Sequence, residues 1–177
     1  YPSTPADAKG LLLTALEDPN PVMFFEHKQL YRSISGEVPV GESYVPFGEA
    51  RVHQEGERLV VITYGAGVHW AKKVADEHPE WSMAILDLRT LVPLDYASID
   101  RWVRQTGRVV ILHEDTLFGG IGGEIAAYIA EHLFEYLDAP VCRVASLDTP
   151  VPFAGQLEGL FLPRGRLEDT ISSLLAY

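Results

Sequence analysis

The chain has 177 residues, 47% hydrophobic and 22% charged, the balance of an ordinary globular protein of about one domain at roughly 100–150 residues each, with some chain left over. Fourteen Lys and Arg face 25 Asp and Glu, a formal net charge of −11, which repels phosphate backbones and anionic lipid and so argues against nucleic-acid and membrane-surface binding. Cys142 is the single cysteine, which excludes an intrachain disulfide and a cysteine zinc cluster, and no apolar run approaches the ~18 residues of a membrane span.

The first 26 residues predict one helix and one strand. Thr4 fits an N-cap, Pro5 the first helical position, and Ala8, Leu11, Leu12, Ala15 and Leu16 recur at helical spacing. Asp18-Pro19-Asn20-Pro21 stops that helix. Val22-Met23-Phe24-Phe25, apolar throughout, reads as a central parallel strand covered on both faces. One helix and one buried strand cannot make a core, so this unit is expected to close a preceding domain. From Glu26 to about Phe47 no period is evident, and Gly36, Pro39, Gly41 and Pro46 mark an interdomain connector.

Strands and helices alternate thereafter. Strands are expected at Leu59–Tyr64, Met83–Leu86, Arg108–Leu112 and Val141–Ala145. Helices are expected at Val68–Glu77, from Asp95 to Gly107, at Gly122–Leu137 and at Leu167–Leu175. Ala50–Gln54 is expected to form a hairpin with Leu59–Thr63 and so to supply one antiparallel strand. The fold class is therefore α/β: a three-layer α/β/α sandwich around a mostly parallel five-stranded sheet with one antiparallel edge strand.

Several segments could carry chemistry. Gly65-Ala66-Gly67 turns from a strand into a helix, and Asp87 ends the next strand, which mimics a dinucleotide-binding fingerprint. Trp70 stands where the third glycine belongs, so a plain strand-to-helix turn is the favoured reading. The segment His113 to Glu124 contains Gly119, Gly120, Gly122 and Gly123 and opens a helix. Its backbone amides suit an anion, but Glu124 already supplies negative charge, and His113 reads as a base or, preferably, as a polar strand end that orders the glycine loop. The six histidines show no metal spacing, and neither H-E-x-x-H nor G-x-S-x-G occurs. Cys142 reads as a small buried apolar residue, and Asp148 to Phe153 as a turn or a subunit contact. The helix end near Asp18 and Asn20 gathers unpaired carbonyls and side-chain oxygens, which suit a hard cation or simply end a helix before proline.

Taken together these segments resemble a known family. Lys9-Gly10-Leu11-Leu12, Asp18 to Arg32, Glu37-Val38-Pro39, Thr63-Tyr64-Gly65, Asp87 to Asp95, Thr106-Gly107-Arg108, Leu137 to Val141 and Asp148-Thr149-Pro150 are similar to the β subunit of thiamine-diphosphate-dependent 2-oxo acid dehydrogenases. The form Phe24-Phe25-Glu26-His27-Lys28-x-Leu30-Tyr31-Arg32 is most similar to the branched-chain (2-oxoisovalerate) type, with pyruvate enzymes close. The Gly loop departs from the family's His-Glu-Ala-Pro…Gly-Gly-Phe form at Asp115, Thr116 and Ile121.

The resemblance implies a domain division. Residues 1–26 would end a pyrimidine-binding domain, 27–46 would connect, and 47–177 would form a transketolase C-terminal-like domain serving assembly. No catalytic or cofactor-binding residue is carried over, because the family's catalytic glutamate and active-site histidine lie upstream. Thiamine diphosphate and Mg would act in the parent enzyme, an oxidoreductase, and this part alone is expected to be inactive. The resemblance also implies a potassium ion held at Ala15, Asp18 and Asn20. Asp138 and the terminal carboxylate of Tyr177 would help dock the subunit-binding domain of a lipoyl acyltransferase. An α part and a second β part would complete a heterotetramer, and a bacterial cytoplasm is favoured over a mitochondrial matrix. The rival reading is a free-standing nucleotide-binding α/β domain.

Overall fold

Two runs in this chain have no polar face. β2 (Leu59–Thr63) and β3 (Met83–Asp87) are buried at every position, so both must lie inside a sheet that is covered on each side. The computed structural model describes residues 1–177 and arranges them in this way. With β1 (Arg51–Gln54), β4 (Val109–Thr116) and β5 (Cys142–Ser146), they form one five-stranded sheet in the order β1-β3-β2-β4-β5. The pairs β2/β3, β2/β4 and β4/β5 are parallel, and β1 runs antiparallel to β3 along the edge.

Side-chain alternation along the strands divides the core into two layers. Leu59, Val61, Ile85 and Val110 point to one face, where α3 (Ala66–Glu77) and α7 (Arg164–Leu175) cover them through Val68, Ala71, Leu167 and Ile171. Val60, Ile62, Leu86 and Ile111 point to the other, beneath α4 (Tyr96–Thr106) and α5 (Gly122–His132). Trp102 of α4, only 1% exposed, is the largest side chain of that layer. Caps set the helix ends: Asp95 accepts from the Ser98 amide at 3.0 Å to start α4, and Gly107, at φ 64°, ends it in the left-handed conformation.

Several expectations are corrected. β1 does not form a hairpin with β2. The amides of Glu57 and Arg58 donate to Ser82 O at 3.0 and 3.1 Å, which carries the turn across the start of β3 and leaves β1 and β2 on opposite sides of it. Residues 22–25 form no strand; Met23 is 80% and Phe25 55% exposed. α5 stops at His132 and a short 3-10 turn, Phe134–Tyr136, follows. α6 (Gly155–Phe161) is a helix the sequence did not announce.

The amino-terminal stretch packs onto the sheet domain. α1 (Pro5–Glu17) begins as expected, with Thr4 Oγ1 accepting from the Asp7 amide at 3.2 Å. The segment after α2 (Leu30–Ser33) returns along α1: the Val45 amide donates to Gly10 O at 3.2 Å and Thr14 Oγ1 to Val45 O at 2.8 Å. A Cβ on Gly10 would lie 2.5 Å from Val45, so only glycine permits this approach. At the other end of α1, the buried Asp7 carboxylate accepts from Arg51 and Arg89 at 3.3 and 3.2 Å.

The loop from β4 into α5 is built around His113. This side chain is fully buried between Gly120 and Gly122, where an added Cβ would fall 2.6 and 2.4 Å from the ring. Its Nδ1 lies 3.2 Å from Asp115 O, and Nε2 has no partner. The glycines thus make room for an imidazole, as the polar strand-end reading required.

Burial, with the Arg143 charge adding to it, pushes the His113 pKa below the ordinary value of 6.5. Below about pH 6.5 the unfolded chain takes up a proton that the folded chain refuses, so stability falls as pH drops through that region. Urea midpoints measured from pH 7.5 to 5 are expected to decline more steeply in the wild type than in His113→Leu. Identical slopes would show that the buried neutral imidazole is not the source.

Candidate functional site

In an open α/β sheet, ligands bind outside the carboxyl ends of the strands, where the connections diverge to opposite faces. Here that point lies between β2, which leads into α3 on one face, and β4, which leads into α5 on the other. Tyr64 follows β2, and Glu114, Asp115 and Thr116 end β4. A cleft of about 460 Å³ opens between them.

The amino-terminal segment furnishes the rest of the walls. The Tyr1 ring lies edge-on to Tyr64 with centroids 5.1 Å apart and parallel to Phe25 at 6.4 Å. His27 Nε2 sits 2.7 Å from Glu114 Oε2, which ties the segment after Phe25 to the end of β4. Four carboxylates line the cleft, those of Glu26, Glu114, Asp115 and Glu158, against the ammonium of Lys28 and the Tyr1 amino terminus, which is committed to Arg89 O at 2.8 Å. Burial, and then the charges of Asp115 and Glu114, raise the Tyr64 phenol well above its ordinary value. Burial and Glu114 raise that of Tyr1 in the same direction.

This geometry removes the dinucleotide reading. A Cβ on Gly65 would lie 2.4 Å from the Tyr1 ring, so the space above the glycine turn, which a pyrophosphate would need, is filled. Asp87 is fully buried and turned inward. It accepts from Ser3 Oγ, from the Arg89 amide at 3.0 Å, and lies 3.2 Å from His53 Nε2. It has no oxygen left to offer a ribose. Gly67 serves packing, since a Cβ there would meet Thr63 Oγ1 at 2.1 Å. Asp7, His53 and Asp87 bring ligand-type atoms within 4.8 Å of one another, a convergence that sequence spacing did not reveal. Their partners are guanidinium and hydroxyl groups of the same chain.

The remaining sequence candidates lie apart from the cleft. At the end of α1 the Asp18 carboxylate accepts from the Asn20 amide at 2.9 Å and from Asn20 Nδ2 at 3.0 Å. Pro19 has no N–H to offer the Ala15 carbonyl, its usual i+4 acceptor. Ala15 O, the second Asp18 oxygen and Asn20 Oδ1 therefore remain as hard oxygen donors. Asp138 is met by Arg108, whose Nη1 donates to Oδ2 at 3.4 Å. Tyr177 borders a groove with Pro140 and Asp169. Cys142 is half-buried on the edge strand β5, and burial raises its thiol pKa. In the stretch after β5, Asp148 Oδ1 accepts from the Phe118 amide at 2.8 Å, while Val151 and Phe153 point into solvent.

Residues 48–166 match the family described as transketolase, C-terminal domain. Over 164 residues the chain is 47% identical to the 2-oxoisovalerate dehydrogenase subunit beta of Bacillus subtilis (strain 168), covering 91% of this chain and 50% of that protein. It is 46% identical to the pyruvate dehydrogenase E1 component subunit beta of the same organism, covering 92% and 50%. It is 41% identical to the mitochondrial 2-oxoisovalerate dehydrogenase subunit beta 2 of Arabidopsis thaliana, covering 99% and 49%. The chain thus spans about half the length of these relatives. A solved split-gene transketolase, described as an inactive beta4 tetramer, superposes with a TM-score of 0.77 at 22% identity, covering 99% of this chain and 56% of that one, a likeness of fold. A sheet of this order, its helices on both faces and a match over 48–166 agree: the chain belongs to the transketolase C-terminal domain family.

Proposed function

We propose that this chain is the carboxyl-terminal part of the β subunit of a thiamine-diphosphate-dependent 2-oxo acid dehydrogenase and that it serves assembly of that enzyme. The observation that carries the reading is identity of 41–47% to such β subunits along most of the chain. Residues 1–26 close a pyrimidine-binding domain, 27–46 connect, and 47–177 form the transketolase-type domain. The outward face of α1 supports that division. Leu12 and Leu16 on that face are 43% and 74% exposed, apolar surface that a neighbouring domain would cover. Phe153, Leu157 and Leu160, exposed near the end of β5, suit contact with an α part or a second β part of a heterotetramer.

The parent would decarboxylate a branched-chain 2-oxo acid on thiamine diphosphate and Mg, and acylate a lipoyl group, in a bacterial cytoplasm. Within this chain Ala15, Asp18 and Asn20 would hold potassium; their three uncommitted oxygens fit a hard cation. Asp138 and the Tyr177 carboxylate would meet basic side chains of the acyltransferase's subunit-binding domain. The Asp138 side chain is 62% exposed, so its charge would act on association rate and salt dependence more than on residence time.

Three outcomes test this reading in the full-length parent enzyme. Assayed with an artificial electron acceptor, it is expected to oxidise 2-oxoisovalerate faster than pyruvate; activity on neither overturns the assignment. Potassium chloride is expected to raise its melting temperature, and Asn20→Ala to abolish most of that rise. An unchanged potassium response in Asn20→Ala would remove the ion from the end of α1. Asp138→Ala is expected to slow association with the isolated subunit-binding domain several-fold at low salt, measured by surface plasmon resonance, while decarboxylation persists. Equal association rates at low and high salt would take Asp138 out of the docking surface.

A further inference from the structure

The cleft between β2 and β4 has the position of a ligand site and a chemistry that nothing above uses. Its location follows from topology, because the loops that leave Tyr64 and Thr116 part toward opposite faces of the sheet. Its composition is unusual in two respects. Tyr1 and Phe25 offer aromatic surface, backed by the buried Tyr64 ring beneath them. The four carboxylates are also left without a strong counter-ion. Glu114 is joined only by His27, no Lys or Arg forms an ion pair with Glu26, Asp115 or Glu158, and Lys28 forms none at all.

An anion is repelled from such a site, and a neutral apolar guest would leave the carboxylates without a partner. A small hydrated metal ion would gain nothing from the aromatic walls. A cation on an alkyl stem satisfies both features, since aromatic faces within about 6 Å attract it and carboxylates accept its N–H groups. The pKa of the buried Tyr64 phenol beneath the cleft is pushed up first by burial and then by Asp115, Tyr1 and Glu114, of which the two carboxylates line the opening.

We propose that the cleft between β2 and β4 is a recognition site for an organic cation, an alkyl guanidinium or ammonium group seated against Tyr1 and Phe25 and hydrogen-bonded by the surrounding carboxylates. The group comes either from a small free amine or guanidine or from a Lys or Arg side chain of a polypeptide. The site stands on this chain's own residues and holds whether or not the parent is a 2-oxo acid dehydrogenase.

Saturation-transfer NMR on the full chain tests the site with defined probes. N-acetyl-arginine methylamide is expected to bind about tenfold more tightly than its neutral isostere N-acetyl-citrulline methylamide, the ratio that ~1.4 kcal/mol of charge recognition gives. Raising sodium chloride from about 20 to about 200 mM is expected to weaken the arginine probe and leave the citrulline probe unmoved. Phe25→Leu removes an aromatic face from an exposed side chain, and Glu158→Gln removes an exposed charge. Each is expected to lower affinity about three- to tenfold with an unchanged melting temperature. Ethylguanidinium and an acetylated Gly-Arg-Gly amide separate the sources. Equal affinity points to a free small cation and tighter peptide binding to a polypeptide side chain, and either supports the site. Equal binding of the arginine and citrulline probes, or affinity indifferent to both variants, would overturn the proposal.

Discussion

The architecture rests on the need to cover β2 on both faces. Leu59, Val60, Val61 and Ile62 are each fully buried, and fully burying an aliphatic side chain is worth about 1.5–3 kcal/mol. Neither layer can be omitted without exposing half of that strand. A parallel neighbour on each side supplies the ladder, and the return connections must then run over the sheet. α3 takes one face, with α7 beside it, and α4 and α5 take the other. The divergence of those connections creates the crevice beyond Tyr64 and Glu114. Core and cleft are thus two consequences of one burial requirement.

A second constraint fixes what fills that crevice. Asp7 and Asp87 are 2% and 0% exposed, and a buried carboxylate is tolerated only when charge or hydrogen bonds replace its water. Asp7 obtains Arg51 and Arg89, one from the edge strand β1 and one from just after β3. Asp87 obtains Ser3, His53 and the Arg89 amide. The Arg89 amide is local to Asp87, but the Ser3, Arg51 and Arg89 side-chain bonds span 44 to 84 residues, so these contacts stitch residues 1–7 across the carboxyl end of the sheet. Removing one member of such a pair leaves the other buried and unpaired, which costs about 3–5 kcal/mol. The lock therefore holds Tyr1 over Gly65 and closes the glycine turn to a pyrophosphate.

Local signals account for most of what the sequence disclosed. The apolar runs at Leu59 and Met83, the Asp95 cap and the Gly107 stop each act within a few residues, and the structure keeps all of them. What escaped was non-local or unpatterned. The partner of β1 is decided by the bonds from Glu57 and Arg58 to Ser82, which no alternation encodes. Val22 to Phe25 has strand composition, yet no neighbouring strand within the chain pairs with it. α6 carries Gly155 and Gly159 and buries only Phe161, so it lacks an amphipathic face. The glycines around His113 were visible as a loop; their purpose depended on the ring they enclose. The cleft itself was invisible, because its aromatic walls come from positions 1, 25 and 64.

Position and chemistry therefore give different information about this molecule. The strand order places a ligand cleft where many α/β proteins place a nucleotide, and Gly65-Ala66-Gly67 with Asp87 even imitates the spacing. The side chains reverse that expectation. Asp87 is turned inward to Ser3 and His53, Tyr1 covers the glycine turn, and carboxylates line the opening. An acidic surface with net charge −11 acts over roughly a Debye length and merely draws cations toward the protein. Discrimination requires short-range contacts, and the cleft concentrates aromatic faces and carboxylates that have no Lys or Arg partner in one place. Long-range charge and local geometry thus select for the same sign of ligand at two different distances, which is how an acidic protein can attract many basic groups and retain few of them.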